Sequence, residues 1–282
     1  MKKKLALLCL AMLAASAPVS ASPAVSFEKG MIQADLSGWN TEGKYSNLNA
    51  SYDNMPVAYV SDYFPSYPSY QSMKFNDESW SLSGGITYGL SEKWAVQYQY
   101  AKMSADTGSV YIPAFNPPNL PGKEQLTGYS HELNALYSIN NYAAVYGGIK
   151  RIHTSLKIKN SLDFSSEGGP NLNGTYLGKT NNILHMGLIG KYPLSENADV
   201  YGKIGFGAKN TAEAELGLGY RLNPNLDMNI GYRYLKTQGN NGAAMVSFGD
   251  GYSGAIIDPA VGNSRDVTFR GFTLGLSYRF NR

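Results

Sequence analysis

The sequence contains one cysteine, Cys9, which lies in a short apolar stretch near the N-terminus. One cysteine excludes a disulfide scaffold within the chain and a metal site built on thiolates. The sequence also lacks any run of roughly 18 or more apolar residues, the length that a membrane-spanning helix requires. Any membrane crossing must therefore be made by β-strands, which span lipid only as closed barrels because every backbone polar group must be paired.

The N-terminus has the parts of a secretory signal peptide. Residues 2–4 are lysine, residues 5–15 are apolar, and residues 19–21 read Val-Ser-Ala, the small-residue pattern of a cleavage site. We expect residues 1–21 to be removed on export and residues 22–282 to form one domain. The loss of the three lysines would leave as many basic as acidic residues, since the full chain has 24 and 21. That balance gives no reason to expect nucleic-acid binding.

The pattern of residues 80–103 alternates between large apolar side chains and small or polar ones. The turn-forming residues Ser91-Glu92-Lys93 divide the stretch in two, which predicts two antiparallel strands. The apolar side holds Trp80, Leu82, Ile86, Tyr88, Leu90, Trp94, Val96, Tyr98 and Tyr100. A soluble sheet can alternate in this way too, but here the pattern recurs and aromatic residues gather at strand ends. That combination is typical of a barrel with lipid outside and a polar lumen inside.

The recurring pattern predicts about ten strands, a count between roughly eight and twelve, each near the length of a tilted membrane strand. The expected strands cover residues 29–39, 80–90, 94–103, 128–139, 142–156, 183–192, 200–208, 213–222, 226–234 and 267–280. Long loops are expected at residues 40–77, 104–126, 157–179 and 238–266. The first and last of these are left open as sites of extra strands, with residues 56–63 as a candidate. The facing of residues 142–156 is also open, because Val145 and Ile149 compete with Tyr142 and Tyr146 for the outer face.

Successive connections between the predicted strands alternate in length. Short turns, such as Asn140-Asn141 and Asn223-Pro224-Asn225, alternate with mostly long loops. Transmembrane barrels show this asymmetry, with short periplasmic turns and long extracellular loops, and an even strand count. The predicted fold is therefore all-β, an antiparallel up-and-down transmembrane β-barrel.

The final strand strengthens this interpretation by its aromatic ending. Residues 267–280 place Phe272, Leu274, Leu276, Tyr278 and Phe280 on one side. With the signal sequence and the hairpin at residues 80–103, this strand resembles those of bacterial outer-membrane β-barrel proteins, especially the small OmpA-like and opacity-protein-like barrels. The resemblance implies an outer-membrane location, contact with outer-membrane lipid, and these five residues as a signal to the barrel-assembly machinery. Barrels of that family usually end on the aromatic residue, whereas Asn281 and Arg282 follow it here.

Charged residues at inward positions of the predicted strands are the main candidates for a functional lumen. Their signs are mixed: Asp35, Glu132, Lys203, Glu213, Glu215, Arg221, Asp227, Arg233 and Arg279. They would either fill a narrow barrel with ion pairs, since unpaired charge is costly in a confined interior, or tune a water-filled channel. About ten strands lies between filled eight-stranded barrels and open porins, so we favour a filled or narrowly conducting lumen.

A catalytic constellation is not evident in the sequence. This chain resembles the outer-membrane protease barrels in its expected strand number, and those barrels use Asp-x-His, but none of His131, His153 and His185 has Asp two residues earlier. Three scattered histidines without cysteine also make a poor metal site. Residues 174–180 resemble a phosphate loop, but they are one residue short and lack the strand and helix that frame one. We expect no catalytic residues, no metal and no cofactor.

The long loop at residues 40–77 is rich in tyrosine, which supplies contact area at low entropic cost. Its aromatic residues, Tyr59, Tyr63, Phe64, Tyr67 and Tyr70, either bind a surface ligand or pack over the barrel mouth. The sequence thus predicts a non-enzymatic outer-membrane barrel that acts as a surface or structural protein or a narrow porin-like channel. Adhesin-type binding through the outer loops is the alternative, and a hydrolase relying on His131 or His153 is a third hypothesis.

Overall fold

The computed structural model describes residues 23–46, 48–51, 72–106, 110–111, 119–120, 123–159, 174–240, 244–248, 252–259 and 265–280. Ten long strands form the barrel: β1 (Ile32–Ser46), β2 (Ser72–Gly89), β3 (Trp94–Asp106), β4 (Lys123–Asn140), β5 (Ala143–Lys159), β6 (Gly174–Pro193), β7 (Ala198–Gly207), β8 (Thr211–Asn223), β9 (Leu226–Gln238) and β10 (Asp266–Phe280). Within these ranges, no helix is long and apolar enough to cross a membrane.

The ten strands close into one barrel in which each strand pairs antiparallel with its neighbours in sequence. β1 completes the ring, because Ile32 is opposite Tyr88 on β2 and also opposite Phe280 on β10. The predicted fold class and strand number are thereby confirmed. We call the end with the connections near Ser91, Asn141, Ser195 and Pro224 the short-turn end, and the opposite end the long-loop end.

Several strands reach further toward the long-loop end than the sequence predicted. β1 continues to Ser46 and β2 begins at Ser72, so the boundaries expected for the loop at residues 40–77 were wrong. β3, β4, β5 and β6 likewise extend into the expected loops at residues 104–126 and 157–179. The cause is a reversal of pattern: beyond Asn40 the outward residues are polar, as at Glu42 and Lys44, while inward Tyr45 is buried.

Short strands outside the barrel wall occupy parts of the long loops. Leu48–Ser51, Ala244–Phe248 and Tyr252–Pro259 form a three-stranded sheet, and Val110–Tyr111 pairs with Asn119–Leu120. The regions 40–77 and 238–266 thus do contain additional strands, which form a sheet separate from the barrel wall. The proposed strand at residues 56–63, the tyrosine-rich loop and the expected signal peptide lie outside the described residues.

The outer wall carries an apolar band between two sets of aromatic side chains. Trp80 and Tyr88 on β2, and Phe272 and Phe280 on β10, are eight positions apart and all largely exposed. Eight positions correspond to about 27 Å along a strand, or about 20 Å across a membrane at the usual tilt. The spacing is a few ångströms less than the apolar band of roughly 25 Å that transmembrane barrels present to lipid.

The facing of β5, which the sequence left open, follows from burial. Val145 and Ile149 are 39% and 56% exposed, whereas Ala144, Tyr146 and Lys150 are at most 4% exposed. Val145 and Ile149 therefore face outward and Tyr146 faces the barrel interior.

Buried polar side chains occur along the whole interior, but an apolar cluster also lies toward each end, so the expectation of a uniformly polar lumen was wrong. Toward the long-loop end, inward side chains form an apolar cap: Trp39, Tyr45, Phe75, Met103, Ala105, Leu126, Ile152, Leu156, Leu177, Ile183, Leu235, Val267 and Phe269. At the short-turn end, the segment before β1 contributes Ala24, Val25, Phe27 and Met31 to a second apolar cluster. These four residues pack with Ala95, Leu136, Ala144, Tyr146 and Ile189 of the wall, and we call their segment the N-terminal plug.

Candidate functional site: a charged layer inside the barrel

Between the two apolar clusters, oppositely charged side chains from four strands meet across the barrel. Lys150 of β5 lies 2.6 Å from Glu132 of β4 and also forms an ion pair with Glu213 of β8. Lys203 of β7 lies 3.0 Å from Glu213 and 3.8 Å from Glu132. The side chain of Lys150 is 1% exposed. Two buried carboxylates are thus neutralised by two ammonium groups, as a confined interior requires. We call these four residues the charged layer.

Neighbouring polar groups hold the charged layer in place. Tyr146 donates a hydrogen bond from its hydroxyl to Glu213, and its ring lies 5.0 Å from the Lys203 ammonium. Lys203 also donates to Gln99 across the barrel at 3.3 Å. The Tyr146 ring fits because Gly187 and Gly205 face it, and a Cβ at either glycine would collide with the tyrosine. The layer is therefore positioned by packing as well as by charge.

A second ion pair lies next to the charged layer. Arg233 donates to Glu215 at 2.7 Å, and Tyr201 donates to the same carboxylate at 3.1 Å. The guanidinium of Arg233 also lies 5.3 Å from the ring of Trp39, which belongs to the apolar cap. This pair links the charged interior to the cap above it.

The remaining charged candidates lie elsewhere on the inner wall. Asp227 is near Arg221 at 3.8 Å and Lys191 at 3.9 Å, and Lys191 is also 2.9 Å from Asp199. The Arg221 side chain is 50% exposed, which places it at the rim of the short-turn end. Asp35 accepts a hydrogen bond from Gln33 at 2.9 Å, and Arg279 lies near the same rim as Arg221.

The structure brings Glu132, Lys203 and Glu213 together, and it adds residues that the sequence did not single out. Lys150 and Tyr146 were missed because the inward side of β5 was ambiguous, and Tyr201 was missed because only charged residues were considered as lumen candidates. A signal was present at Lys150-Arg151: adjacent strand residues point to opposite faces, so one of these two cations must enter the barrel.

Three side chains in and beside the charged layer lie close enough together to hold a metal ion. Ligand atoms of Glu132, His185 and Glu213 lie within 4.8 Å of one another. A cation there would compete with Lys150, which already pairs with both carboxylates. The donor set therefore fits a network of ion pairs better than a metal centre.

Open space around these residues is small. The cavity beside the charged layer has a volume of about 90 Å³ and is lined by Asp35, Glu132, Lys150, Glu213 and Arg233 among others. That volume admits several water molecules, each needing at least about 10–15 Å³ by this measure. A second cavity of about 380 Å³ lies at the short-turn end, between the N-terminal plug and Lys191, Arg221 and Arg279.

Two of the three histidines lie on the outer wall. His131 accepts or donates a hydrogen bond with the Tyr98 hydroxyl at 2.7 Å, depending on its tautomer, and His153 bonds to Thr180 at 3.0 Å. His185 faces inward next to Tyr146. The histidines therefore do not converge on one site.

Comparison with known proteins gives a family and several similar folds. Residues 137–280 match the family model described as outer membrane protein beta-barrel domain. The outer membrane protease OmpT of Escherichia coli aligns with a TM-score of 0.55 and 15% identity, over 91% of this chain and 99% of that one. The attachment invasion locus protein Ail of Yersinia pestis gives a TM-score of 0.36, also at 15% identity, over 89% and 99%. OprG of Pseudomonas aeruginosa gives 0.38 at 13% identity, over 92% and 100%. No curated protein sequence matches the chain.

Proposed function

This chain belongs to the outer membrane protein beta-barrel domain family and resides in the bacterial outer membrane. On that basis we propose that it is a closed, non-enzymatic barrel with a structural or surface role, in which the barrel holds the loops at its extracellular end. The observation that carries the proposal is Lys150, which is buried and bonded to carboxylates of two different strands in mid-barrel. The apolar cap lies on one side of this residue and the N-terminal plug on the other.

Passage of a hydrated ion would have to disturb the apolar cap, the charged layer and the N-terminal plug. The ion would displace apolar side chains at each end. It would also separate the ion pairs of the charged layer, and breaking a buried pair costs about 3–5 kcal/mol. A solute channel instead needs a continuous wet path with groups that bind and release the solute. The arrangement therefore favours a structural or surface role over conduction.

Single-channel recording in planar bilayers tests this proposal. The purified, folded barrel is inserted and a voltage is applied across the membrane, with an open porin as the positive control. We expect no stable conductance steps. Reproducible steps of uniform size from the folded protein would overturn the closed-barrel proposal and favour the narrow channel.

The absence of enzymatic activity is part of the proposal. OmpT is named a protease, but at 15% identity its likeness extends to the fold alone. The outward positions of His131 and His153 support a non-catalytic role, since they share no cleft with His185. Purified protein is expected not to hydrolyse peptide or phospholipid substrates. Turnover that is lost in His131→Ala or His153→Ala would contradict this.

A binding role at the extracellular end is the second candidate. Leu48–Ser51 pairs with Tyr252–Pro259, so two loops far apart in sequence form one ordered sheet at the long-loop end. Such a surface suits a partner-binding role. Cells displaying the barrel with residues 241–264 replaced by a short linker should adhere less to a target surface than wild-type cells, at equal barrel abundance. Equal adherence would remove this candidate.

Export with removal of residues 1–21 is also proposed, in keeping with the outer-membrane location. Intact-mass measurement of protein extracted from outer membranes should give a chain beginning at Ser22. A mass that includes residues 1–21 would contradict cleavage.

A further inference from the structure

A basic patch lies on the outer wall at the extracellular edge of the membrane band. An apolar surface adjoins it on the side of the short-turn end, which we describe as below the patch. The patch spans four adjacent strands, β3 to β6, whose residues lie in register. The lowest row consists of Tyr98, Leu133, Ile149 and Leu184, which are 45%, 51%, 56% and 75% exposed. This row has the character of the lipid-facing band.

The two rows above it change from apolar to basic and aromatic. The second row is Tyr100, His131, Arg151 and Asn182, and the third is Lys102, Tyr129, His153 and Thr180. None of these twelve outward positions holds a carboxylate. Successive rows lie about 7 Å apart and four strands span about 14 Å, which is the scale of a lipid headgroup.

The cations of the patch lack the pairing seen on the opposite part of the wall. Within the described part of the chain, neither Lys102 nor Arg151 forms an ion pair, and both are exposed. Outward Arg270, by contrast, pairs with Glu42 at 2.9 Å. The positive charge of Lys102 and Arg151 is therefore available to an external anion.

The aromatic residues between the cations are held in fixed positions. The Tyr98 hydroxyl bonds to His131, and the Tyr129 ring stacks on His153 at 5.1 Å and approaches His131 at 5.7 Å. Rings at this height suit the boundary between acyl chains and headgroups, where amphipathic aromatic side chains are favoured. Together the rows provide phosphate-binding charge above and acyl-chain contact below.

We propose that this patch binds a phosphate-bearing glycolipid of the outer leaflet, with Lys102 and Arg151 contacting phosphate and the lowest row contacting acyl chains. The proposal is independent of whether the lumen conducts, because it concerns only the outer wall. A lipid is favoured over a free anion because the exposed apolar row is continuous with the basic rows.

The test is a titration of the folded, detergent-solubilised full chain, followed by native mass spectrometry. The probes are diphosphorylated lipid A and the same glycolipid with both phosphates removed. The variant is Lys102→Gln/Arg151→Gln, and the matched control is Lys29→Gln/Lys93→Gln, which removes two exposed charges at the short-turn end. Heat-modifiable electrophoretic mobility verifies that each protein is folded, and Lys102→Gln alone serves if the double variant does not fold.

Wild type and control should prefer the phosphorylated lipid, and the double variant should lose that preference by roughly 30-fold, given about 1 kcal/mol per basic residue near an anionic surface. Lys102→Gln alone should lose about fivefold. Equal binding of the two lipids by wild type, or an unchanged preference in the variant, would overturn the proposal. So would displacement of the lipid by millimolar inorganic phosphate, which indicates a free-anion site, or dimers lost in the variant, which indicate a contact between copies.

Discussion

The charged layer and the apolar cap lie next to each other inside the same barrel and fill it by opposite means. In the layer, Lys150 is stabilised by specific partners, Glu132 and Glu213, so each member depends on the others. In the cap, residues such as Leu126 and Phe269 are stabilised by general contact with apolar neighbours. The difference implies that the loss of one charge in the layer, or the loss of side-chain volume in the cap, lowers the free energy of unfolding.

The largest effect is expected for Lys150→Met. This change leaves Glu132 and Glu213 with only Lys203 to neutralise them, and breaking a buried pair typically costs about 3–5 kcal/mol of unfolding free energy. Urea unfolding of the barrel in lipid vesicles measures it. Lys93→Met, which alters an exposed lysine in a turn, is the control and should change stability by less than about 0.5 kcal/mol. A similar loss in the two variants would show that the layer contributes no specific stability.

The cap should respond next most strongly, through Leu126→Ala. Leu126 is 0% exposed, and truncating such a side chain leaves a cavity that costs about 2–5 kcal/mol. Leu216, which is 66% exposed on the outer wall, provides the comparison. Its truncation should cost less, because lipid chains fill the space that the protein leaves. If Leu216→Ala is the more damaging variant in the same unfolding measurement, the interior near Leu126 is not packed.

A combined change sharpens the contrast between the two regions. Glu132→Gln/Lys150→Met removes one buried charge of each sign while keeping volume, so Glu213 and Lys203 remain paired with each other at 3.0 Å. Replacing a buried ion pair by neutral side chains is often close to neutral or stabilising. We expect the double variant to recover most of the stability that Lys150→Met loses. A double variant as unstable as the single one would mean that charge pairing is not what the layer supplies.

The smallest effect is expected on the outer wall, at the pair of Arg270 and Glu42. Both side chains are substantially exposed, at 58% and 34%, and exposed ion pairs contribute at most about 1 kcal/mol. Arg270→Ala should therefore leave the unfolding midpoint nearly unchanged at physiological salt. A loss as large as that of Lys150→Met would remove the distinction between buried and exposed pairs.

The outer wall was predictable from sequence because lipid imposes one rule on every strand. Ile230, Leu274 and the aromatic residues at strand ends follow period two, and their outward positions could be assigned without a structure. The interior has no single rule. Ile152 and Leu156 are apolar and face inward, whereas Lys150 on the same strand and the same side is charged. Whether an inward residue is apolar or charged depends on its contacts across the barrel, such as that of Lys203 with Gln99. Sequence periodicity contains no information about such contacts.

The ends of the strands were mispredicted for a related reason. Once β1 passes the membrane edge near Asn40, water replaces lipid outside, so polar residues face outward and apolar ones pack inside. A period-two pattern persists there in the opposite phase. The charged residues of the layer were mostly anticipated, but their convergence on Lys150 was not, because pairing of residues 63 positions apart follows from the closed barrel.

Thiol labelling tests the central claim, a packed interior, most directly. In a Cys9→Ser background no other cysteine is present, so Ala105→Cys places one thiol in the cap and Glu92→Cys one at an exposed turn position. Folded protein in detergent is treated with a membrane-impermeant maleimide. We predict that the thiol at position 105 reacts at least 100-fold more slowly than the one at position 92, roughly the protection that an opening free energy of about 3 kcal/mol provides. Comparable rates at the two positions would show that water reaches the cap and would contradict the closed barrel.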